Sequence, residues 1–263
     1  MNLLNLVQVF KSFDGYRAVD KASIKIEKGE IVALAGESGC GKTTLARIVI
    51  GLEKPDYGEM TFENEPINLK EKRSKKQKKK IQMVFQNAYG SFNPKFTLKS
   101  SISQPLIEHK IATNNESLNK KLKDLFQLVN LDFELLNRLP HQVSGGQIQR
   151  AAIARAIACE PDLLIADEPT SALDVSIRLQ ILKLFQDLRE KKNLSCLIIS
   201  HDLPSLRFLA DRIYVMYKGK IIESGVTSDV LNHPQDKYTQ KLLAAIPSVD
   251  PSENTFEKFK AFK

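Results

Sequence analysis

The 263-residue chain contains only three cysteines, Cys40, Cys159 and Cys196. They stand far apart, with neither metal-ligand spacing nor the pattern of a disulfide framework, so they imply no metal site and suit a reducing compartment. Long apolar runs are also missing: no stretch nears the ~18 uninterrupted apolar residues needed to span a bilayer, and a soluble protein is expected. Met1-Asn2-Leu3-Leu4 lacks a basic start, a sustained apolar stretch and a small-residue cleavage site, so a cytoplasmic location is expected. No internal repeat is visible. What is present is an ordinary globular composition, 42% hydrophobic and 27% charged. The length suits one large α/β domain, or a core with an inserted subdomain, better than two independent domains.

A net charge of +8 raises the question of nucleic acid, and its distribution bears on the answer. Residues 70–80 (KEKRSKKQKKK) carry eight Lys/Arg against Glu71, which is +7 of the +8. The basicity is therefore one patch, expected as an exposed loop or short polar helix. Attraction to anionic lipid headgroups is its functional alternative.

Hydrophobic spacing predicts strands at 3–10, 22–27 and 31–35 (IVALA), the last a short apolar run of the kind buried in a parallel sheet. A helix is expected over 42–52, stopped by Gly51 and Pro55, then a buried strand at 81–85 and an irregular stretch at 87–105 containing Pro94 and Pro105. Amphipathic spacing at 116–130 and 147–159 marks residues 87–158 as a helical insertion. Strands at 163–166, 196–199 and 212–217, with a helix near 175–191, resume an α/β sheet. Residues 226–263 read as a tail whose polar last stretch is loosely held.

Gly36-Glu37-Ser38-Gly39-Cys40-Gly41-Lys42-Thr43 fits GxxxxGK[ST], directly after a buried strand and before a helix. Glycines let successive N–H groups aim at phosphate oxygens, and the helix start near Lys42, with Thr44 behind it, adds the positive end of its dipole. Lys42 is expected to bridge the β- and γ-phosphates, and the Thr43 hydroxyl to meet Mg²⁺. Cys40 in this loop is either a small residue that fits or a thiol activated by the surrounding amides. At the end of the 163–166 strand, Asp167 is placed to hold Mg²⁺ through water and Glu168 to take a proton from a water attacking the γ-phosphate.

With these motifs in order, the chain resembles the nucleotide-binding subunits of ABC transporters over nearly its whole length. Val143-Ser144-Gly145-Gly146-Gln147 resembles the LSGGQ signature, with Val143 in place of Leu, and a helix follows it. The resemblance implies that Ser144, Gly145, Gly146 and Gln147 bind the γ-phosphate of ATP held by a second ATPase subunit. It also implies that Gln86 senses Mg²⁺ and γ-phosphate, that Asp174 lies in a loop crossing the subunit interface, and that His201 contacts the γ-phosphate. Phe13, with Tyr16 as the alternative, matches the aromatic that stacks on adenine. The implied fold is a P-loop NTPase (RecA-like) core with an N-terminal antiparallel β subdomain and an inserted helical subdomain. Residues 1–86 and 159–225 are then the two parts of the ATP-binding core, 87–158 the helical subdomain with the signature, and 226–263 the C-terminal tail. The cofactors implied are ATP and Mg²⁺.

The tail sharpens the resemblance. His233-Pro234-Gln235-Asp236-Lys237-Tyr238-Thr239 and the following Leu242-Leu243 resemble the ending of ATPases from the oligopeptide, dipeptide and nickel importer group, although Asp236-Lys237 replaces a second His-Pro. That group implies a similar but non-identical second ATPase, two membrane permeases and an extracytoplasmic solute-binding protein. The chain would sit peripherally on the cytoplasmic face of the membrane and bind no nucleic acid. Tyr89, Phe92, Pro94 and Phe96 mark where a permease helix is expected to dock, or else aromatics that pack the helical subdomain. A nickel importer ATPase is the alternative, with an exporter ATPase or a nucleic-acid-acting ABC ATPase behind it.

Overall fold

The structure is a computed structural model and describes residues 1–245. The chain opens with β1 (Asn2–Phe13) and β2 (Tyr16–Glu27), then β3 (Ile31–Ala35), α1 (Lys42–Ile50), β4 (Tyr57–Phe62), β5 (Glu65–Pro66), α2 (Lys75–Lys80) and β6 (Ile81–Val84). Helices α3 (Leu98–Glu108), α4 (Asn115–Leu128) and α5 (Gly145–Ile157) follow, joined by short 3-10 turns. The second half alternates β7 (Leu163–Asp167), α6 (Val175–Lys192), β8 (Ser195–Ser200), α7 (Leu203–Leu209) and β9 (Arg212–Tyr217). It ends with β10 (Lys220–Val226), α8 (Thr227–Asn232) and α9 (Lys237–Ala244).

Patterning explains the two sheets these strands form. In β2, Ala22, Ile24 and Ile26 are buried while Ser23 and Lys25 are exposed, the period of two expected of a sheet with one wet face. It belongs to the antiparallel sheet, ordered β2-β1-β4-β5. Every residue of β3, β7 and β8 is buried, because both faces of their sheet are covered. That sheet runs β10-β9-β3-β8-β7-β6 and is parallel except for β10.

The two faces feed separate cores. Ile31, Ala33 and Ala35 of β3, with Cys196 and Ile198 of β8, join the apolar cluster that contains α3–α6. Val32, Leu34, Leu197 and Ile199 point the other way, into the cluster shared by α1 and the antiparallel sheet. Helix α6 meets the first cluster through Ile181, Leu184, Phe185 and Leu188, an i, i+3, i+4, i+7 stripe. This is the expected P-loop NTPase architecture, with a parallel-sheet core, an antiparallel β subdomain and a helical insertion.

Two sequence expectations need correction. Residues 98–105 are helical rather than irregular, and Pro105 lies inside α3. The Pro forgoes one helical hydrogen bond, but Leu98, Ile102 and Leu106 form a fully buried stripe that outweighs it. In the tail, α8 and α9 follow β10, and Tyr238, Leu242 and Leu243 pack against the main core; the polar last stretch, from 246 onward, lies outside the described residues.

The basic block is also less uniform than its sequence. Lysines 75, 76, 78 and 79 lie on α2, which Ser74 and Gln77 close with a reciprocal capping box, and none of its residues is buried. Arg73, however, is only 6% exposed. Its guanidinium donates to Ile48 O at 3.0 Å and Val49 O at 3.3 Å, carbonyls of the last turn of α1, the first of which also accepts from Gly51 N. Lys80 pairs with Glu63 and Asp162. Replacing Arg73 by Met is expected to lower the unfolding free energy by about 2 kcal/mol, the worth of charged hydrogen bonds at a buried site. Lys76→Gln should stay within about 0.5 kcal/mol of the parent protein in the same urea titration.

Candidate active site

The parallel register decides which loops meet. Val84 pairs with Ala166, Asp167 with Ile199, and Ala35 with Ser200, so the C-terminal ends of β6, β7, β8 and β3 lie side by side. Gln86, the Asp167-Glu168 pair, His201 and the Gly36–Thr43 loop all emerge at this edge, where open α/β sheets bind ligands.

The loop is tightly folded against its surroundings. Gly41 caps α1 at φ 111°, and a β-carbon there would lie 2.0 Å from Ala18 O, so the position demands glycine. Lys42 is buried, and its ammonium donates to Gly36 O and Glu37 O, each at 2.8 Å, which places the charge inside the curve of the loop. The Thr43 hydroxyl donates to Asp167 Oδ1 at 3.2 Å, bringing together two hard oxygen ligands from residues distant in sequence. This donor pair fits Mg²⁺, which needs few protein oxygens and keeps several waters. Burial raises the pKa of Asp167; the Thr43 hydrogen bond and the Lys42 charge oppose that rise, while the neighbouring Glu168 adds to it.

Glu168 is the convergence point. Its backbone sits at φ 45°, in the left-handed region that a non-glycine residue enters only when its surroundings hold it there. Its N–H donates to Ile199 O at 2.9 Å. Gln86 Nε2 donates to Glu168 Oε2 at 3.0 Å, and His201 Nδ1 lies 3.3 Å from Glu168 Oε1. The carboxylate is thus held from both sides by residues that the sequence singled out separately.

The remaining residues divide. Ser144 caps α5: its Oγ accepts from Gln147 N at 3.3 Å, and Gln147 Oε1 accepts from Ser144 N at 2.9 Å. Gly145 and Gly146 pack against the segment around α6, where a β-carbon on Gly146 would come 2.7 Å from Ile177 Cγ2. Asp174 caps α6 by accepting from Ile177 N at 2.9 Å; this bond and one from the Ser176 hydroxyl lower its pKa. Among the described residues, no hydrogen bond joins Ser144–Gln147 to the phosphate loop. Phe13 and Tyr16 face each other across the β1–β2 turn, 41% and 59% exposed. The Tyr16 hydroxyl donates to Gly39 O at 3.1 Å, and the Lys11 ammonium lies 4.9 Å from the Phe13 ring centre. Glu37, Ser38 and Gly39 are exposed, and Thr44 is half-buried. Cys40 is buried, and burial pushes its pKa up against the partial opposition of Lys42, so it is a neutral filler rather than an activated thiol.

Sequence reasoning missed a brace between Gln86 and the signature. Tyr89 donates its hydroxyl to Val143 O at 2.8 Å. Arg155 donates to Ser91 O at 2.7 Å and Ser91 Oγ at 2.9 Å, with its guanidinium 4.2 Å from the Phe92 ring centre. An arginine inside the otherwise apolar run AAIARAIA was the available signal, since a buried guanidinium must find partners. Phe92 therefore packs inside the helical subdomain, while Tyr89 and Phe96 remain exposed.

A phosphate loop, an Asp-Glu pair at a strand end and a signature-capped helix define a nucleotide-binding cassette, and comparison with known proteins names the family. The ABC transporter model matches residues 19–171. The oligopeptide transport ATP-binding protein OppF of Streptococcus mutans is 45% identical over 236 residues, covering 89% of this chain and 77% of that protein. The dipeptide transport ATP-binding protein DppF of Escherichia coli is 41% identical over 238 residues, covering 90% and 71%. Among solved structures, a dimeric ATP-binding cassette in a post-hydrolysis state with ADP and Pi superposes with a TM-score of 0.77 at 30% identity, covering 86% of this chain and 99% of that one. A nucleotide-free cassette from an ABC transporter gives 0.79 at 25% identity, with 92% and 98% covered. The chain belongs to the ABC transporter family.

The signature geometry can be tested without touching the phosphate loop. Gly146→Ala is expected to cut ATP turnover by about tenfold or more through its clash with Ile177, and adding Ile177→Ala should recover part of the loss. Steady-state rates of the two single variants and the double variant would show it.

Proposed function

We propose that this chain is the ATP-hydrolysing subunit of an ABC importer that drives uptake of oligopeptides or dipeptides across the cytoplasmic membrane. The observation that carries the catalytic part is the Glu168 carboxylate, held between Gln86 and His201 one residue from the buried Asp167–Thr43 pair. Lys42 and the loop amides bind the β- and γ-phosphates of ATP, and Phe13 supplies the face for adenine. Thr43 and Asp167, with Gln86 alongside, would hold Mg²⁺, whose charge would supply electrostatic stabilisation at the phosphates. Glu168 takes the proton of the attacking water, and Gln86 and His201 keep its carboxylate aimed at that water. His201 is 54% exposed on its side chain and faces the open edge, where it reaches the γ-phosphate.

Ser144–Gln147 lie apart from this chain's own loop, which suits a site completed by a second ATPase subunit, similar but not identical. The substrate reading rests on the named relatives above and on the His233–Thr239 segment. The further partners are two permeases and an extracytoplasmic binding protein. Among the described residues no helix is long and apolar enough to cross a membrane, in keeping with a peripheral place on its cytoplasmic face. Permease docking falls on the groove of about 600 Å³ beside Phe96 and Ile107, 53% and 57% exposed, close in sequence to Gln86. Helix α2 precedes β6 and so lies at the other end of that strand from Gln86, roughly 13 Å away. Its lysines therefore point to a solvated face rather than to lipid.

Glu168→Gln is expected to lower ATP hydrolysis by about 100-fold or more while ATP binding survives. Cells carrying it should lose uptake of labelled di- and oligopeptides. Loss of nickel uptake alone would move the chain to the metal branch, and persistence of both would overturn the importer reading while leaving the ATPase intact. Changing lysines 75, 76, 78 and 79 to Gln should leave co-sedimentation with anionic liposomes unchanged.

A further inference from the structure

The C-terminal helix reaches the phosphate loop. Glu223 of β10 anchors the segment before α9 by accepting from Gln235 N at 2.7 Å and Asp236 N at 3.2 Å, and Asp236 in turn caps α9 by accepting from Tyr238 N at 2.7 Å. Thr239 is fully buried, and Leu242 and Leu243 pack on the core. These contacts place the Tyr238 ring against Tyr217 at the end of β9, with ring centres 4.1 Å apart. The turn after β9 grips the same loop, because Gly219 N donates to Cys40 O at 2.9 Å.

From this position the Tyr238 hydroxyl accepts a hydrogen bond from Glu37 N at 3.2 Å. Glu37 N belongs to the same peptide unit as Gly36 O, which accepts from the Lys42 ammonium at 2.8 Å. In a trans peptide the N–H and C=O point in opposite directions within the amide plane, so Tyr238 and Lys42 hold one amide from its two opposite edges. If that amide rotates, Gly36 O turns away from Lys42.

We propose that Tyr238 is a positioning residue for the phosphate loop: its hydroxyl orients the Gly36–Glu37 amide that places Lys42, and so links the C-terminal helix to nucleotide affinity. The inference rests on the loop being the ATP site. The hydroxyl bonds to the loop backbone at Glu37 and not to Glu168, so its effect falls on binding of the phosphates rather than on the chemical step.

Tyr238→Phe keeps the ring, its stacking on Tyr217 and its burial, and removes only the acceptor. In the assembled transporter it is expected to raise KM for ATP by about 3- to 10-fold, the range of one neutral hydrogen bond, with kcat changed less than about twofold. Equilibrium binding of ATP and ADP should weaken by the same factor, and the melting temperature should stay within about 1 °C of the parent. An unchanged KM would overturn the proposal, as would a fall in kcat and melting temperature together at constant KM, the signature of a purely structural tyrosine. Lys42→Ala measured in parallel separates the two levels: hydrolysis that survives it would bring down the phosphate-loop assignment itself, whereas its loss beside a silent Tyr238→Phe would remove only the role given to Tyr238.

Discussion

The parallel register of β6, β7, β8 and β3 is the constraint on which the rest of the site depends. Because side chains alternate faces along a strand, a slip of one residue of β7 against β8, which separates it from β3, would move Asp167 to the opposite face of the sheet. It would then lose Thr43, which follows β3 through a loop fixed at both ends. The pairing of Asp167 with Ile199 likewise sets the height of Glu168 relative to His201, which follows the same neighbouring strand. The register is pinned by burial on both faces: Leu164 and Ala166 enter one core, and Leu163 and Ile165 the other. Any slip would exchange residues between two packed interiors of different shape, so close packing fixes the geometry of the polar edge.

That edge concentrates polar groups in little water. Asp167 is nearly inaccessible, and its charge is tolerated because Thr43 donates to it and Lys42 lies nearby. Lys42 is buried too, its ammonium satisfied by two carbonyls of its own loop. These groups are held by backbone already folded for other reasons, so in the proposed reading little reorganisation would be needed when charge builds on a bound phosphate, and low local dielectric would strengthen each interaction. The left-handed backbone of Glu168 fits the same account: its N–H is tied to Ile199 and its carboxylate is braced on two sides, contacts strong enough to hold an unfavourable φ.

What could be read from the sequence followed from how local each signal was. IVALA, LLIA and CLII announce buried strands, one residue short of β7 and of each end of β8, and the phosphate loop, Asp167-Glu168 and the signature are contiguous strings whose order carries the family resemblance. The irregular reading of 87–105 holds up to Thr97 and fails from Leu98 on, because Pro105 counts as a breaker only without the buried stripe Leu98, Ile102, Leu106 that outweighs it. Arg73 was counted with its charged neighbours, and only the fold reveals that the end of α1 lies beside it. The Tyr238–Glu37 contact spans 201 residues, and a single sequence carries no trace of such a pairing.

The helical insertion has the most direct mechanical consequence. Gln86 leaves β6 at the catalytic edge, and within six residues the chain is fastened to the signature region through Tyr89 and Val143, and through Ser91, Phe92 and Arg155. Arg155 lies on α5, the helix that Ser144 caps, so both ends of the brace act on one rigid element. A displacement felt by the exposed Tyr89–Phe96 segment therefore cannot remain local. It must either break charged hydrogen bonds at a half-buried arginine or carry α5 and the Ser144–Gln147 turn with it, and with α5 goes α6, to which Arg150 is joined by its donation to Gln180 Oε1 at 2.8 Å. Beside that bond, the signature glycines meet Leu173 and Ile177 with no side chain of their own. In the proposed reading, the face offered to a permease and the turn offered to the second ATPase subunit are two surfaces of one moving body.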